Sequence, residues 1–218
     1  MISLLLPTRE RFENCSQTII SFFENVRYVD NIEFIIRCDN DDLPFLQKLH
    51  LLPYFDRLKI IIGDRERGYI DLHLFYNEML KISTGKYIMP INDDLICKTK
   101  YFDDIILSKP IEDIKIYIGK NNNNYQGWYF PIINKKILDE IGYLSRCVFY
   151  DGYLYFSLLE LDIYREIPEL NFEHFVLHDN LSISKDKTLI EINSGNIKHL
   201  DLFKEYMDQD REKIKKIL

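Results

Sequence analysis

The sequence predicts an α/β fold in which a mixed, mostly parallel central sheet is flanked by helices. Apolar runs at 2–6, 32–36 and 58–62 have the length and composition of strands that are buried on both faces. Segments with helical periodicity, such as 15–27 and 71–82, alternate with these runs. Because parallel strands are joined by crossovers that are usually helical, this alternation favours a parallel sheet.

Composition and charge limit the kinds of partner. The 218 residues contain no Pro/Gly/Ser-rich linker, so we expect one domain, residues 1–218. With 35 acidic and 28 basic residues the formal net charge is −7, which disfavours nucleic acid and anionic membranes as partners. The first apolar run, 2–6, is too short for a signal peptide or a membrane span, so we expect no integral membrane segment.

The cysteines suggest a reducing compartment. They stand at positions 15, 38, 97 and 147, too far apart to form a paired zinc knuckle. Nothing in the sequence marks the chain as secreted, so we expect reduced thiols and a cytoplasmic protein.

A fourth apolar run, 87–91, ends at Asn92, Asp93 and Asp94. The carboxyl ends of strands in an open α/β sheet are where ligands bind, and adjacent carboxylates repel each other unless a cation lies between them. A divalent ion needs only one or two protein carboxylates when a diphosphate supplies its other oxygen ligands. The run therefore suggests a metal-bound nucleotide, although the same three residues could instead form a turn that caps the next helix.

The residues after the first strand argue against a nicotinamide or flavin enzyme. A dinucleotide-binding unit would have a glycine-rich turn there, and this chain has Pro7, Thr8, Arg9, Glu10 and Arg11. The phosphate-binding turn of that fold is therefore absent from the sequence.

Charged residues also follow the second and third strands. Asp39 and Asp41 come after the second strand, at what would be the same edge of the sheet as Asp94. The loop after the third strand carries Arg65 and Arg67, which are suited to binding a phosphate because a guanidinium presents paired donors. The alternative is that both arginines are solvated and merely balance neighbouring acidic residues.

The second half of the chain adds more strands and helices. We expect strands at 114–118, 127–133 and 172–179, and helices at 135–141 and 153–161. The segment 199–218 is amphipathic and rich in charge, which predicts a terminal helix that packs on the sheet or on a second copy of the chain. The second arrangement would make the protein a homo-oligomer.

Three residues of this half are candidate site residues. Asp151 lies next to the start of the predicted helix 153–161, where it could also serve as an N-cap. His174 and His178 fall on one face of the strand predicted at 172–179, which raises the chance of a metal or phosphate role over the structural role usual for a single histidine.

The order of these pieces resembles a nucleotide-sugar glycosyltransferase of the GT-A fold, closest to the family-2-like group. The resemblance extends from residue 2 to about residue 188, and it depends on the order and spacing of the motifs. The motifs are Pro7-Thr8-Arg9, Asp39-Asn-Asp41, Ser83-Thr-Gly85, Asn92-Asp93-Asp94, Tyr150-Asp151 and a late histidine.

The resemblance implies which residues contact the donor. It implies that Asp39 accepts a hydrogen bond from the base, that Arg67 lies near the base or the phosphates, and that Asn92 lies near the ribose. Asp93 belongs to the same donor-binding group. The loop that lines the base would consist of Pro7, Thr8 and Arg9.

The resemblance also implies the metal and catalytic residues. Asp94 would ligate a divalent ion, Mn2+ or Mg2+, and His178 would complete the metal site, with His174 as the alternative. Asp151 occupies the position of the general base. We therefore expect Asp39, Asp94 and Asp151 to surround one cleft.

Two residues depart from the family pattern. The first acid of the metal motif is replaced by Asn92, which removes one negative charge and makes weak or optional metal binding plausible. The base motif usually has two adjacent acids, and Tyr150 replaces the first, so Asp151 is the one carboxylate there.

The resemblance implies transfer of a sugar from a nucleoside-diphosphate sugar, with UDP favoured, to a hydroxyl of a glycan or another acceptor, with inversion and with metal assistance. A non-catalytic GT-A domain that binds a nucleotide sugar or a glycan is the main alternative, and Asn92 and Tyr150 favour it. A sugar-nucleotide nucleotidyltransferase shares the fold class, but it would need a glycine-rich basic turn after the first strand.

Overall fold

The fold was determined from a computed structural model that describes residues 1–121, 130–148, 150–174 and 203–218. In these residues eight strands form one mixed sheet with the order β3-β2-β1-β4-β7-β6-β8-β5. The strands are β1 (Ile2–Thr8), β2 (Ile32–Asp39), β3 (Leu58–Gly63), β4 (Tyr87–Pro90), β5 (Leu95–Cys97), β6 (Ile116–Asn121), β7 (Ile132–Asn134) and β8 (Tyr164–His174). The predicted α/β class, with a mixed and mostly parallel sheet, is confirmed.

Helices flank the sheet on both faces. The helices of the described residues are α1 (Phe12–Asn25), α2 (Leu43–Lys48), α3 (Leu72–Ile82), α4 (Phe102–Leu107), α5 (Lys135–Ile141), α6 (Tyr150–Leu158) and α7 (Lys204–Lys215). No helix in this part of the chain combines the length and the apolar character needed to cross a bilayer.

The first half of the sheet is parallel. β1 pairs with β2 on one side and with β4 on the other, and β2 pairs with β3. Every residue of β2 is buried, as expected for a strand covered on both faces. Side chains alternate between two cores, so Leu4 and Leu6 pack with Phe22 of α1, whereas Leu5 packs with Met79 of α3.

Pro90 ends β4 and is tolerated because it has a neighbour on one side only. It lies opposite Leu5 of β1, whereas the antiparallel pairing of β4 with β7 involves only Tyr87 and Ile88. The missing N–H of the proline therefore removes no ladder hydrogen bond on the β7 side.

The second half of the sheet is mostly antiparallel and was predicted less well. β5 was not predicted, and β8 begins at Tyr164, whereas the sequence predicted a strand only at 172–179. The pairing of β8 with β6 skips from Ile167 to Asn171, so Pro168 lies in an irregularity of the strand. In a sequence, a proline at this position argues against a strand. In the structure, the irregularity in the pairing accommodates it.

Three predicted segments extend beyond the described residues. Of the strand predicted at 172–179, residues 175–179 lie outside them. Part of the strand predicted at 127–133 is seen as β7, and 127–129 lie outside the described residues. The terminal helix, predicted at 199–218, is seen as α7, and it packs on α5 and α6. Its Asp210 is buried and accepts hydrogen bonds from the hydroxyls of Tyr143, at 2.6 and 2.7 Å, and Tyr153, at 2.7 Å.

A buried carboxylate joins four segments at the amino ends of the parallel strands. Glu33 of β2 accepts hydrogen bonds from the hydroxyl of Ser3, from the backbone N–H of Gly85 at 3.0 Å and from the hydroxyl of Thr84 at 3.1 Å. Lys59 of β3 donates to the same carboxylate at 2.5 Å. Gly85 is required here because a Cβ at this position would lie 2.4 Å from Ser3 Oγ. The Ser83-Thr-Gly85 motif therefore holds the sheet together at the edge opposite the carboxyl ends.

The stability that the Glu33 carboxylate contributes is lost at acid pH. Burial raises its pKa, but hydrogen bonds from Lys59 and Ser3 outweigh burial and leave the pKa below its usual value. A lowered pKa stabilises the fold above the unfolded-state pKa, and this contribution is lost as the pH falls through the folded-state pKa. We expect Glu33→Gln to lower the free energy of unfolding at pH 7 by about 1–3 kcal/mol, and this difference should shrink progressively as the pH falls below the unfolded-state pKa of about 4.3.

Urea denaturation of the wild type and of Glu33→Gln, at pH 7 and at several values between about pH 4 and about pH 3.5, measures the difference in their free energies of unfolding. Glu140→Gln, on the exposed end of α5, is the control and should change little at any pH. A wild-type advantage over Glu33→Gln that stays constant down to pH 3.5 would contradict a role for the ionised carboxylate.

Candidate active site

The carboxyl ends of β1, β2 and β4 are linked to one another by side-chain contacts. Thr8, the last residue of β1, donates a hydrogen bond of 2.8 Å to Asp93, which follows β4. Arg9, the next residue, donates to Asp39 at the end of β2, at 2.9 Å. Pro7 lies within β1, opposite Arg37 of β2. The structure therefore brings together five residues that the sequence analysis connected with the donor: Pro7, Thr8, Arg9, Asp39 and Asp93.

Asp39 is the centre of one cluster of charges. Its side chain is buried and forms an ion pair with the buried Arg37 through one carboxylate oxygen. The other oxygen accepts from Arg9, and a nitrogen of Arg65 lies 3.6 Å away. Arg37 is held in place by the ring of Phe75, whose centroid is 3.7 Å from the guanidinium carbon.

Arg67 does not join this cluster. Its guanidinium binds Asp71 through two nitrogens, at 2.6 and 2.9 Å, and most of its side chain is exposed. Of the two arginines singled out in the loop after β3, it is Arg65 that approaches Asp39. The proposed donor contact of Arg67 stays a prediction.

Asp93 and Asp94 form a second cluster with Arg11. Both carboxylates are buried, and the Nη1 nitrogen of Arg11 lies 3.0 Å from Oδ1 of Asp93 and 3.4 Å from Oδ2 of Asp94. Burial raises the pKa of the Asp93 carboxyl to about 6; Arg11 opposes this rise and Asp94 adds to it. A second positive charge near these carboxylates would therefore stabilise their ionised forms.

Tyr76 of α3 connects the end of β4 to the start of α6. Its hydroxyl donates to the backbone carbonyl of Ile91 at 2.9 Å and contacts the side-chain oxygen of Asn92 at 3.1 Å. Its ring packs on the ring of Tyr150, with centroids 4.5 Å apart. Since Tyr150 is the first residue of α6, the backbone of Asp151 follows at the same edge of the sheet.

The helix carrying Asp151 begins earlier than the sequence predicted. α6 starts at Tyr150, so Asp151 is the second residue of the helix, where the predicted helix 153–161 would have left it just outside. This position argues against the simple N-cap role, because an N-cap residue precedes the first helical residue. The side chain of Asp151 lies outside what the structure describes, so its place in the cleft stays a prediction.

The late histidines are placed only in part. His174 is the last residue of β8, and its backbone lies opposite Leu95, the residue after Asp94. This register brings one candidate histidine of the sequence analysis close to the metal motif along the sheet. The side chain of His174 and all of His178 lie outside the described residues.

The donor atoms of the second cluster suit a hard divalent cation. Mg2+ and Mn2+ prefer carboxylate oxygens, and Asp93 and Asp94 supply buried carboxylates from adjacent residues. In the described residues no group of three or more His, Cys, Asp or Glu side chains could hold a metal ion. The two carboxylates thus fit a metal that takes its other oxygen ligands from a bound diphosphate.

The chain was compared with protein-family models, with curated proteins and with solved structures. No protein-family model matches the chain, and no curated protein matches it. Solved structures do match: TarS of S. aureus residues 1–349 in complex with UDP has a TM-score of 0.63 at 12% identity, over 96% of this chain and 69% of that one. The mannosyltransferase PcManGT of Pyrobaculum calidifontis, in complex with GDP-Man and Mn2+, has a TM-score of 0.61 at 12% identity, over 97% of this chain and 69% of that one.

The chain has the GT-A-like fold of nucleotide-sugar glycosyltransferases, as the sequence resemblance implied. A longer structure of TarS matches 96% of this chain at 11% identity, with a TM-score of 0.61. This chain spans only 42% of the length of that structure. At this level of identity the likeness establishes the fold.

Three residues of the site were not recognised from the sequence as site residues. Arg11 stands in the glycine-free segment after the first strand, and its positive charge was the available signal. Arg37 follows the strand predicted at 32–36 and stands two residues before Asp39, where an arginine between Ile36 and Cys38 could have indicated a buried ion pair. Tyr76 carries no such signal, because an aromatic residue on a helix is usually part of the core.

The Asp39 cluster predicts a large effect of a small substitution. Asp39→Asn removes the buried charge that compensates the guanidinium of Arg37 and leaves only the partly exposed Glu78, 3.5 Å from its Nε among the described residues, so we expect it to lower the free energy of unfolding by about 3 kcal/mol. Urea denaturation at pH 7 measures the loss.

Asp41→Asn is the matched control, because Asp41 is also bound by Arg9 but is half exposed. We expect little measurable change for this variant. Equal losses in the two variants would contradict the view that burial of the Arg37–Asp39 pair is the cause.

Proposed function

We propose that the protein is a glycosyltransferase that moves a sugar from a nucleoside-diphosphate sugar to a hydroxyl of a glycan or another acceptor. The favoured donor is a UDP-sugar, and the reaction is a single displacement at the anomeric carbon with inversion, assisted by Mn2+ or Mg2+. The observation that carries this proposal is the direct linkage of the ends of β1, β2 and β4 through Thr8, Arg9 and Arg11.

The donor would bind along this edge of the sheet. Pro7, Thr8 and Arg9 would line the nucleobase, and Asp39 would accept from it with a lone pair that its arginines leave open. Asn92 would lie near the ribose. Arg65, which approaches Asp39, and Arg67, on the same loop, would add positive charge on the side of the base or the phosphates.

Asp93 and Asp94 would face the diphosphate. Asp94 would ligate the divalent ion, with Asp93 beside it, and His178 or His174 would complete the site. When bound, the ion would neutralise charge that builds on the departing nucleoside diphosphate.

Asp151 would act on the acceptor. From the first turn of α6, its carboxylate would take the proton of the acceptor hydroxyl as that oxygen attacks the anomeric carbon. The contact between Tyr150 and Tyr76 would hold this turn at the edge where Asn92 lies.

Known proteins of similar structure support the choice of donor class. TarS was solved with UDP and with UDP-GlcNAc, and PcManGT with GDP-Man and Mn2+. We keep UDP as the favoured nucleotide and GDP as its competitor. We also propose a cytoplasmic location, because all four cysteines are buried thiols that form no disulfide among themselves.

A non-catalytic GT-A domain that binds a nucleotide sugar is the second candidate. It is favoured by Asn92, whose side-chain oxygen contacts Tyr76 where the family has an acid, and by Tyr150, which packs on the same tyrosine. Slow, metal-dependent release of nucleoside diphosphate from the donor separates the two, because a transferase hydrolyses its donor slowly and a binder does not.

The role of Asp151 is tested by its isosteric variant. A positioned general base contributes roughly 10²–10⁴-fold, so we expect Asp151→Asn to lower turnover by about that factor while donor binding survives. Turnover is measured as release of nucleoside diphosphate with and without acceptor, and binding by calorimetry. Full activity in the variant would exclude Asp151 as the base.

Binding of the donor and the metal is tested separately from chemistry. A ligand that binds only the folded state raises its stability by about 2.7 kcal/mol at a hundredfold excess over its dissociation constant. We expect UDP or GDP with MnCl2 to raise the melting temperature of the wild-type protein, and Asp94→Ala to remove the contribution of the metal. No stabilisation by either nucleotide, with or without MnCl2, would contradict the proposed function.

A further inference from the structure

The inference concerns Arg11, and it rests on the proposed function. A single nitrogen of its guanidinium lies within 3.4 Å of carboxylate oxygens of both Asp93 and Asp94. A nitrogen between two carboxylates of adjacent residues stands where a small cation would gain most from both charges. The side chain therefore occupies the position that a metal ion would need to share or take over.

Arg11 compensates the negative charge of two buried carboxylates, which would otherwise destabilise the fold. Asp93 and Asp94 are 6% and 5% exposed, and burial disfavours the charged form of a carboxylate. Among the described residues the Thr8 hydroxyl also donates a hydrogen bond to Asp93, but it carries no charge. The guanidinium is thus the positive charge that the structure shows facing both carboxylates.

The position of Arg11 in the chain lets its side chain move. It precedes α1 as the N-cap residue, makes no side-chain capping bond, and its side chain is 31% exposed. A change of its rotamer would therefore break no capping bond of α1. Its guanidinium also presents a planar set of donors that matches phosphate oxygens as well as it matches carboxylates.

We infer that Arg11 couples metal binding to nucleotide binding by exchanging partners. In the free protein the guanidinium neutralises Asp93 and Asp94 and opposes a divalent ion through charge repulsion. When a nucleoside diphosphate enters, its phosphates attract the guanidinium and leave the two carboxylates to the ion. Metal and nucleotide therefore bind tightly only together.

This exchange has a reciprocal consequence. The factor by which UDP tightens the binding of Mn2+ must equal the factor by which Mn2+ tightens the binding of UDP, since both follow from one coupling free energy. Removing the guanidinium charge should strengthen binding of the ion alone and reduce this common factor. A residue that only holds the fold together would weaken both ligands or leave both unchanged.

The experiment measures binding and needs no turnover. Titration of MnCl2 alone, of UDP alone, of GDP alone and of each nucleotide at saturating MnCl2 gives the dissociation constants and the coupling factor, by calorimetry and by the electron paramagnetic resonance signal of free Mn2+. We expect Arg11→Gln to bind Mn2+ alone on the order of tenfold more tightly than the wild type. Its coupling factor should fall to the part that direct contact between the ion and the diphosphate supplies.

Two further variants separate charge from shape. Arg57→Gln removes the same charge just before β3, where Arg57 pairs with Asp30, and it should leave both the Mn2+ affinity and the coupling unchanged. Arg11→Lys keeps the charge, so its affinity for Mn2+ alone should stay close to that of the wild type. If Arg11→Gln does not fold, as judged by circular dichroism, Arg11→Met takes its place.

The measured Mn2+ affinities and coupling factors either support or overturn the exchange of partners by Arg11. Tighter Mn2+ binding and weaker coupling in Arg11→Gln, with no change in Arg57→Gln, support the exchange. Unchanged Mn2+ affinity and coupling in Arg11→Gln, in a background where wild type binds UDP or GDP, overturn the exchange and leave the proposed function standing. Absence of nucleotide binding to wild type under every condition overturns both.

Discussion

The pairing of β1 with a parallel strand on each side is the constraint on which the site depends. Because β2 and β4 run in the same direction as β1, their carboxyl ends reach one edge, and Thr8, Asp39 and Asp93 are brought within reach of one another. The amino ends of the same strands are fixed by Glu33, which binds segments from β1, β3 and the turn before β4. One edge of the parallel sheet is thus closed by a structural network, and the other carries the chemistry.

The charges at the functional edge are balanced within the protein. Asp39 is compensated by Arg37 and Arg9, and Asp93 and Asp94 are compensated by Arg11. Buried carboxylates without such partners would shift their protonation or destabilise the fold. The arginines of the site are therefore part of its stability in the free protein, and the same donors suit the phosphates of a nucleotide.

Local signals in the sequence predicted local structure well. The helix predicted at 135–141 coincides with α5: the Asn134 side chain accepts from the backbone of Lys136 at 3.0 Å before its first residue, and Gly142, with a φ of 94°, follows its last. The parallel strands were found because their apolar runs are continuous. β8 was found only in part, because Pro168 and its charged neighbours hide a strand whose irregularity depends on the pairing with β6. Arg67 and Arg65 could not be told apart, because their partners, Asp71 and Asp39, are set by the conformation of the loop.

By itself the sequence determined the α/β class, the order of the strands and helices, and the edge at which Asp39 and Asp94 would lie. These follow from the apolar runs and from the helical segments between them, which can be recognised in the local sequence. Only the tertiary structure decided which side chains are partners. The contacts of Arg11 with Asp93 and Asp94 join residues more than eighty positions apart, and that of Tyr76 with Tyr150 joins residues more than seventy apart. Such contacts depend on the twist and register of the sheet and on helix packing, which no local pattern of residues specifies.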